Sequence, residues 1–287
     1  MTEWRLGLLG YPLAHSLSPR LHHAALRALG WRGAYRLYPV PPGDAAALQG
    51  WVERLRAGQV HGLNVTIPHK TALLPWLDSL TPAARAVGAV NTLFRAADAA
   101  VGGDNTDVEG FWADARARLP LDDPTAWRGL VLGAGGAARA VAYALARAGM
   151  PVWVLARRPE QATALTRHLA RQVSVPLHPA PWDALPSLVA ESGARWLIVN
   201  ATPVGMAPHP DASPWPAGLA WPREAAVYDL VYSPRPTRLV RQARAAGLPA
   251  ADGPGMLVEQ AAHAFVRWTG APLAPVRAAM RAAAGLA

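Results

Sequence analysis

The chain has no cysteine, which excludes disulfides and thiolate metal sites. It also has almost no lysine: of 28 basic residues one is Lys70 and the other 27 are arginine. No run of eighteen apolar residues is present, so no segment reads as a transmembrane helix. The start, M-T-E-W-R-L-G-L-L-G, lacks a basic segment leading into an apolar one with a small-residue cleavage site, so a cytoplasmic location is expected. The nine histidines show no H-E-x-x-H spacing, and no metal site is expected. The absence of a G-x-S-x-G elbow leaves hydrolase chemistry without support. No basic run or aromatic-interleaved motif accompanies the formal charge of +9, so the excess points to anionic small molecules rather than nucleic acid.

What is present is a globular composition, 52% hydrophobic and 16% charged over 287 residues, enough for two domains. Short apolar runs alternate with segments of helical period, which reads as β/α units on a largely parallel sheet. Strands are expected at Leu6 to Gly10, Ala34 to Val40 and Val60 to Thr66, with helices at Pro19 to Leu29 and Asp44 to Ala57. A second series places strands at Leu130 to Leu132, Val152 to Ala156, Trp196 to Asn200 and Ala226 to Leu230. Residues 119 to 129 and 206 to 222 read as loops from their Pro and Asp content. Two helices, Met256 to Thr269 and Pro272 to Ala284, follow without a strand between them, and are expected to pack back on the N-terminal domain.

The stretch V-L-G-A-G-G-A-A-R-A at 131 to 140 follows a strand and opens a helix running to about Gly149. Gly133, Gly135 and Ala138 fit G-x-G-x-x-G/A, in which the first glycine turns, the second admits a pyrophosphate and the third small residue packs helix on strand. Ala134, Gly136 and Ala137 complete the loop, whose free N–H groups at a helix start favour an anion. The next strand ends in Arg157-Arg158, where an NAD enzyme would place an acidic residue for the ribose. Two guanidiniums suit a 2′-phosphate instead, which points to NADP.

Three polar clusters stand at strand ends or helix starts, where an open α/β sheet forms its ligand crevice. They are H-S-L-S-P at 15 to 19, N-V-T-I-P-H-K at 64 to 70, and the pair G-A-V-N-T-L and G-D-N-T-D at 88 to 93 and 103 to 107. Ser18 before Pro19 reads as a helix cap, which leaves Ser16 free for a ligand. Pro68 is expected to start a helix after Thr66, leaving Asn64, Thr66 and Lys70 unassigned. An ammonium can give up a proton where a guanidinium stays charged, so Lys70 is a candidate proton carrier. His69 beside it reads as structural, and His22, His23 and His263 read as helix residues without assigned chemistry.

Taken with N-A-T-P-V-G-M, D-L-V-Y and G-P-G-M-L-V-E-Q-A-A-H-A-F, these stretches resemble the shikimate dehydrogenase family over nearly the whole chain. The resemblance implies an oxidoreductase of aromatic amino-acid biosynthesis that interconverts 3-dehydroshikimate and shikimate with NADP. It implies Lys70 and Asp107 as the catalytic pair. Ser16, Ser18, Asn64, Thr66, Asn91, Asp107, Tyr232 and Gln260 would hold the substrate's hydroxyls and carboxylate. Asn200, Ala201, Thr202, Met206, Gly253 and Met256 would line the cofactor's track. Two positions depart from the family pattern: Pro254 replaces the usual leucine between two glycines, and Ala156 replaces an asparagine before the arginine pair.

The expected architecture is a substrate domain at 1–106 and 254–287 and a Rossmann-like NADP domain at 107–253, with the active site in the cleft between. The protein would act on a small molecule as a monomer or homodimer, with no nucleic-acid or membrane partner. Two alternatives stay open: a quinate/shikimate dehydrogenase with relaxed cofactor or substrate choice, and a catalytically silent NADP-binding regulator.

Overall fold

The computed structural model describes residues 3–191 and 193–286, which form two compact units. One runs to Gly110 and resumes at Val258; the other is Phe111–Leu257.

The first unit opens with β1 (Trp4–Gly10), α1 (Ser18–Ala28), β2 (Gly33–Pro39), α2 (Ala45–Arg56) and β3 (Gly62–Val65). Next come β4 (Ser79–Leu80), α3 (Pro82–Val87), β5 (Thr92–Arg95) and β6 (Val101–Asp104). The start of α4 (Asp107–Arg118) completes this part. The second unit contains β7 (Arg128–Leu132), α5 (Gly136–Arg147), β8 (Val152–Ala156), α6 (Pro159–Leu169), β9 (Leu177–Pro181) and α7 (Leu185–Val189). It continues with β10 (Arg195–Asn200), β11 (Glu224–Asp229), α8 (Arg238–Ala245) and β12 (Ala250–Asp252). Helix α9 (Pro254–Thr269) leads the chain back to the first unit, where α10 (Leu273–Ala283) packs on α1. The two C-terminal helices thus return as expected.

Local chemistry explains the element ends. Asp44 accepts from the Ala47 N–H at 2.9 Å to start α2, and Thr81 does the same for Ala84 at the head of α3, with Pro82 as its first residue. Gly88, at φ 66°, ends α3 in the left-handed region. Pro254 is the first residue of α9, where a missing N–H costs no helical hydrogen bond.

Sheet order in the first unit is β2-β1-β3-β5-β6-β4. Its β1, β2 and β3 are parallel, but β5 runs antiparallel to both β3 and β6. The sheet is largely parallel, as expected, with β5 as the antiparallel strand among those described, set in its interior between β3 and β6. The polar stretches around Asn91 and Asp104 hid a hairpin whose strands are only four residues long. The second unit's order, β12-β11-β10-β7-β8-β9, is parallel throughout, and its sequence of strands reverses between β7 and β10, as in a Rossmann fold. Each unit has its own core. Leu9, Val52, Leu55, Leu63, Leu73 and Leu93 are among the fully buried residues of the first, and Leu130, Leu155, Trp196, Ile198 and Val227 among those of the second. Among the described residues no helix is long and apolar enough to cross a membrane, and no cluster of His, Asp and Glu could hold a metal ion.

Candidate active site

In the first unit β1 lies between β2 and β3, so the segments that leave β1 and β3 diverge from adjacent strand ends. Tyr11 N–H donates to the Ile67 carbonyl at 2.9 Å, and a Cβ on Gly10 would lie 2.3 Å from Thr66 Cγ2. A glycine at position 10 is what lets the two polar segments meet. Antiparallel β5 starts where β3 ends, with Asn64 opposite Thr92 and Thr92 opposite Asp104. The hairpin that sequence reading missed thus carries Asn91 and the loop to Asp107 to the same end of the sheet.

Lys70 Nζ donates to Asp107 Oδ2 at 2.5 Å, with the two side chains 13% and 6% exposed. The other carboxylate oxygen accepts from Asn91 Nδ2 at 2.8 Å. Asp107 is the first residue of α4, where a helix dipole favours a negative charge. The Lys70 carbonyl accepts from Val90 N–H, which fixes the loop that carries the ammonium. A buried charge pair of this kind is costly to break, because the partner left behind has no water to turn to.

Asn91 is engaged on every side. Its Nδ2 also reaches Thr106 Oγ1 at 2.9 Å and Gln260 Oε1 at 3.4 Å, while its Oδ1 accepts from Thr106 N–H and Thr92 Oγ1. Buried Asn64 donates to the Asn91 carbonyl and Thr92 Oγ1, and its Oδ1 accepts from Tyr35 OH at 2.8 Å. One connected network therefore contains Asn64, Lys70, Asn91, Asp107 and Gln260. Thr66 sits at the end of β3, half-buried.

Three readings of local structure need correction. Helix α1 begins at Ser18 itself, and the Ser16 hydroxyl accepts from Ser18 N–H at 3.3 Å, so Ser16 is the turn-forming serine and Ser18 the buried one. No α-helix follows Thr66: Pro68 lies in a series of turns that ends in a short 3₁₀ segment at Leu74–Trp76. The stretch 119–129 is not wholly loop, since it holds a 3₁₀ turn at Pro124–Ala126 and the first residues of β7. His69 is buried with Nε2 2.7 Å from the Val40 carbonyl, a structural contact.

The second unit brings together the glycine loop and the loop after β10. Gly133 has φ 117°, and a Cβ there would lie 3.0 Å from the Ala201 carbonyl oxygen and 3.2 Å from Thr202 Cγ2. Gly135, the residue before α5, is exposed, and a Cβ there would meet nothing within 4 Å. The first glycine is thus required by the protein's own backbone, whereas the second leaves open space at a helix start with no side-chain cap. That space, with Gly136, Ala137 and buried Ala138 behind it, fits a pyrophosphate. Arg157 and Arg158 are exposed where β8 ends, and half-buried Ala134 lies between the first two glycines.

Asn200 is fully buried and its side chain is spent on the protein. Its Nδ2 donates to Asp229 Oδ1 at 2.8 Å and the Val204 carbonyl at 3.1 Å, and its Oδ1 accepts from Thr202 N–H and Oγ1. It shapes the loop through Ala201 and Thr202, beyond which Met206 is exposed. Burial pushes Asp229 up to about 6, offset in part by hydrogen bonds from Thr237, Val231 and Asn200. Gly253 approaches the chain so closely that a Cβ would lie 2.2 Å from the Leu230 carbonyl, and Met256 is buried in the first turn of α9. Tyr232 is half-buried in this unit, and burial raises its phenol above the usual range.

Sequence reading passed over Tyr35, Thr92, Thr106, Asp104 and Asp229. The two threonines stood inside quoted motifs, each directly after an asparagine, and that repeated N-T pair was the available signal. Asp104 and Asp229 also stood inside quoted motifs, G-D-N-T-D and D-L-V-Y, with nothing in the sequence to mark their partners, and Tyr35 has no signal because its partners lie 12 to 29 positions away.

Residues 8–93 match the family model of the shikimate dehydrogenase substrate-binding domain, and residues 253–284 that of the shikimate 5′-dehydrogenase C-terminal domain. A shikimate dehydrogenase (NADP(+)) from Salinibacter ruber is 45% identical over 292 residues, spanning 96% of each chain. A crystal structure of shikimate 5-dehydrogenase from Thermus thermophilus, in complex with NADP(H) and shikimate, matches at TM-score 0.81 and 41% identity, covering 98% of this chain and 99% of that one. A quinate dehydrogenase from Corynebacterium glutamicum in complex with NAD matches at TM-score 0.85 and 31% identity, over 98% and 99% of the two chains. With the identity, coverage and sheet order in agreement, the chain belongs to the shikimate dehydrogenase family.

Proposed function

We propose that this protein interconverts 3-dehydroshikimate and shikimate with NADP as the hydride carrier. The observation that carries the reading is the Lys70–Asp107 pair, a nearly buried ammonium whose carboxylate partner is itself held by Asn91. When bound, the cofactor supplies or accepts the hydride. In the direction of reduction, negative charge grows on the ketone oxygen at C3. The Lys70 ammonium stabilises that charge and delivers the proton; in the reverse direction its amine takes the hydroxyl proton. Asp107 holds Lys70 in place through Oδ2. Ser16 and Ser18 face the carboxylate end of the substrate, and Asn64, Thr66, Asn91, Tyr232 and Gln260 its hydroxyls. Gly133, Gly135 and the start of α5 hold the pyrophosphate, Arg157 and Arg158 the 2′-phosphate, and the segments Asn200–Met206 and Gly253–Met256 the rest of the cofactor.

The fold alone does not separate shikimate from quinate, since the quinate dehydrogenase shares it. The arginine pair at the end of β8 favours NADP over NAD, because a 2′-phosphate gives two forked cations a partner and a free hydroxyl does not.

Lys70→Arg is the direct test of the mechanism. Charge is kept, but the group no longer yields its proton. Turnover should fall by at least ~100-fold, in line with the loss of a general acid. Calorimetric shikimate affinity should stay within about threefold, since the cation remains. A variant with near-normal turnover removes Lys70 from the proton-transfer role.

A further inference from the structure

Helix α9 carries Arg267, which the proposed reaction does not use, on the same face as Gln260 two turns earlier. At one end of that face Gln260 Oε1 lies 3.4 Å from Asn91 Nδ2. At the other, Arg267 reaches the end of β6. Its Nε donates to Asp104 Oδ2 at 3.0 Å, and its terminal Nη2 lies 2.9 Å from the same oxygen. The guanidinium also stands over the Phe94 ring of β5, 5.3 Å from its centroid.

Asp104 is the first residue of the segment that ends in Asp107. Its Oδ1 accepts from Thr81 Oγ1 at 2.6 Å and from the Asn105 backbone N–H at 2.8 Å. Its carbonyl accepts from Asn91 N–H at 3.0 Å, and Asn105 Nδ2 donates to the Ala89 carbonyl at 2.8 Å. The head of the segment is therefore pinned to α3, to the loop before β5 and, through Arg267, to α9. An ion pair exposed on both sides would contribute little. Here the Arg267 side chain is 45% exposed but that of Asp104 only 9%. Remove the guanidinium, and a nearly buried carboxylate oxygen keeps its charge without the two donors that face it. The carboxylate then turns toward other donors, and the backbone leading to Asp107 turns with it.

We propose that Arg267 is a positioning residue for the reaction. Through Asp104 it fixes the segment that ends in Asp107, and so sets the carboxylate that holds the Lys70 ammonium. It touches neither substrate nor cofactor. The inference rests on the role proposed above for Lys70 and Asp107.

The test uses the full-length protein with Arg267→Gln, Arg267→Lys, Lys70→Arg and the pair Arg267→Gln with Lys70→Arg, each checked for folding by its Tm. The expected result for Arg267→Gln is a kcat with shikimate and NADP lowered about tenfold, the size of one lost charged hydrogen bond. Its NADP KM should not move, because the residues assigned to the cofactor all lie in the second unit. Both Arg267 contacts fall on one oxygen, so a single ammonium can replace them, and Arg267→Lys should recover kcat to within about threefold. In the Lys70→Arg background, Arg267→Gln should cost less than about twofold, since the segment acts through a lysine already replaced. A contact that serves stability alone would cost the same factor in both backgrounds. An unchanged kcat in Arg267→Gln, equal losses in the two backgrounds, or Arg267→Lys no better than Arg267→Gln would each overturn the inference while leaving the functional reading intact. A Lys70→Arg variant with near-normal turnover, or a wild-type protein inactive with shikimate, would overturn both.

Discussion

His22 shows how a single residue ties the chain's acid sensitivity to its fold. The ring is fully buried and neither nitrogen makes a well-formed hydrogen bond among the described residues. Burial, aided by His23 and only partly opposed by Asn64, pushes its pKa down from 6.5 to about 3. The folded state therefore keeps the ring neutral where the unfolded chain would protonate it. Its contribution to stability is fully present above pH 6.5 and is lost as pH falls from 6.5 toward 3, by about 1.4 kcal/mol per pH unit at most. Asp229 acts in the opposite sense: raised to about 6, it contributes most below the ordinary carboxylate value and loses that contribution as pH rises from 3.8 through 6. Comparing the wild-type protein with His22→Phe isolates the first effect. The urea-unfolding free energy of the variant should fall by ~3 kcal/mol less than that of the wild type between about pH 6.5 and 4. Identical acid slopes would contradict the assignment. At this scale Lys70 and Asp107 were legible in the sequence, Lys70 through its being the only lysine and both through their motifs. Tyr35, which donates to Asn64, was not, because its partners lie 12, 13 and 29 positions away and only the fold brings them to it.

The glycine loop belongs to the scale of elements, and its two defining glycines separate structural need from ligand need. Gly133 at φ 117° faces the Ala201 carbonyl, so Gly133→Val should cost roughly 2 kcal/mol or more in stability, through backbone strain and the clash together. Gly135 has ordinary φ and empty space beside it, so Gly135→Val should cost no more than ~1 kcal/mol, the difference between a good and a poor helix cap. That same variant should weaken NADPH binding, read by nucleotide fluorescence, by at least ~10-fold, because its side chain stands where the pyrophosphate would approach. Normal NADPH affinity in Gly135→Val would remove the loop from the cofactor's site. Elements with continuous apolar runs, such as β1, β8 and β10, were legible because strands covered on both faces need no polar positions. The β5–β6 hairpin was not. Its strands hold Thr, Arg, Gly and Asp, and it pairs through backbone hydrogen bonds and a packed Phe94 over Gly102 rather than through an apolar pattern. Ser18 was misread as a cap because the sequence rule does not say which of two nearby hydroxyls will turn toward the free N–H.

At the scale of the whole molecule, two sheets of six strands place every assigned residue at strand ends or in the segments and helices that follow them, and neither sheet specifies a substrate. Relatives named for shikimate with NADP and for quinate with NAD share this fold at similar TM-scores. On the proposed reading, the arginines after β8 bear on the choice of cofactor and the lysine–aspartate pair on whether the protein turns over at all. The two-sheet α/β fold and the returning helices were legible because β/α alternation and two helices without a strand leave few topologies. The central claim is best tested by the steady-state rate of nicotinamide reduction with purified protein, comparing NADP with NAD and shikimate with quinate in one buffer. The account predicts that kcat/KM with NADP and shikimate exceeds every other combination by at least ~10-fold, the effect of an unmatched charged hydrogen-bond pair. Equal efficiency with NAD or with quinate, or no turnover in a protein that binds NADP, would contradict it.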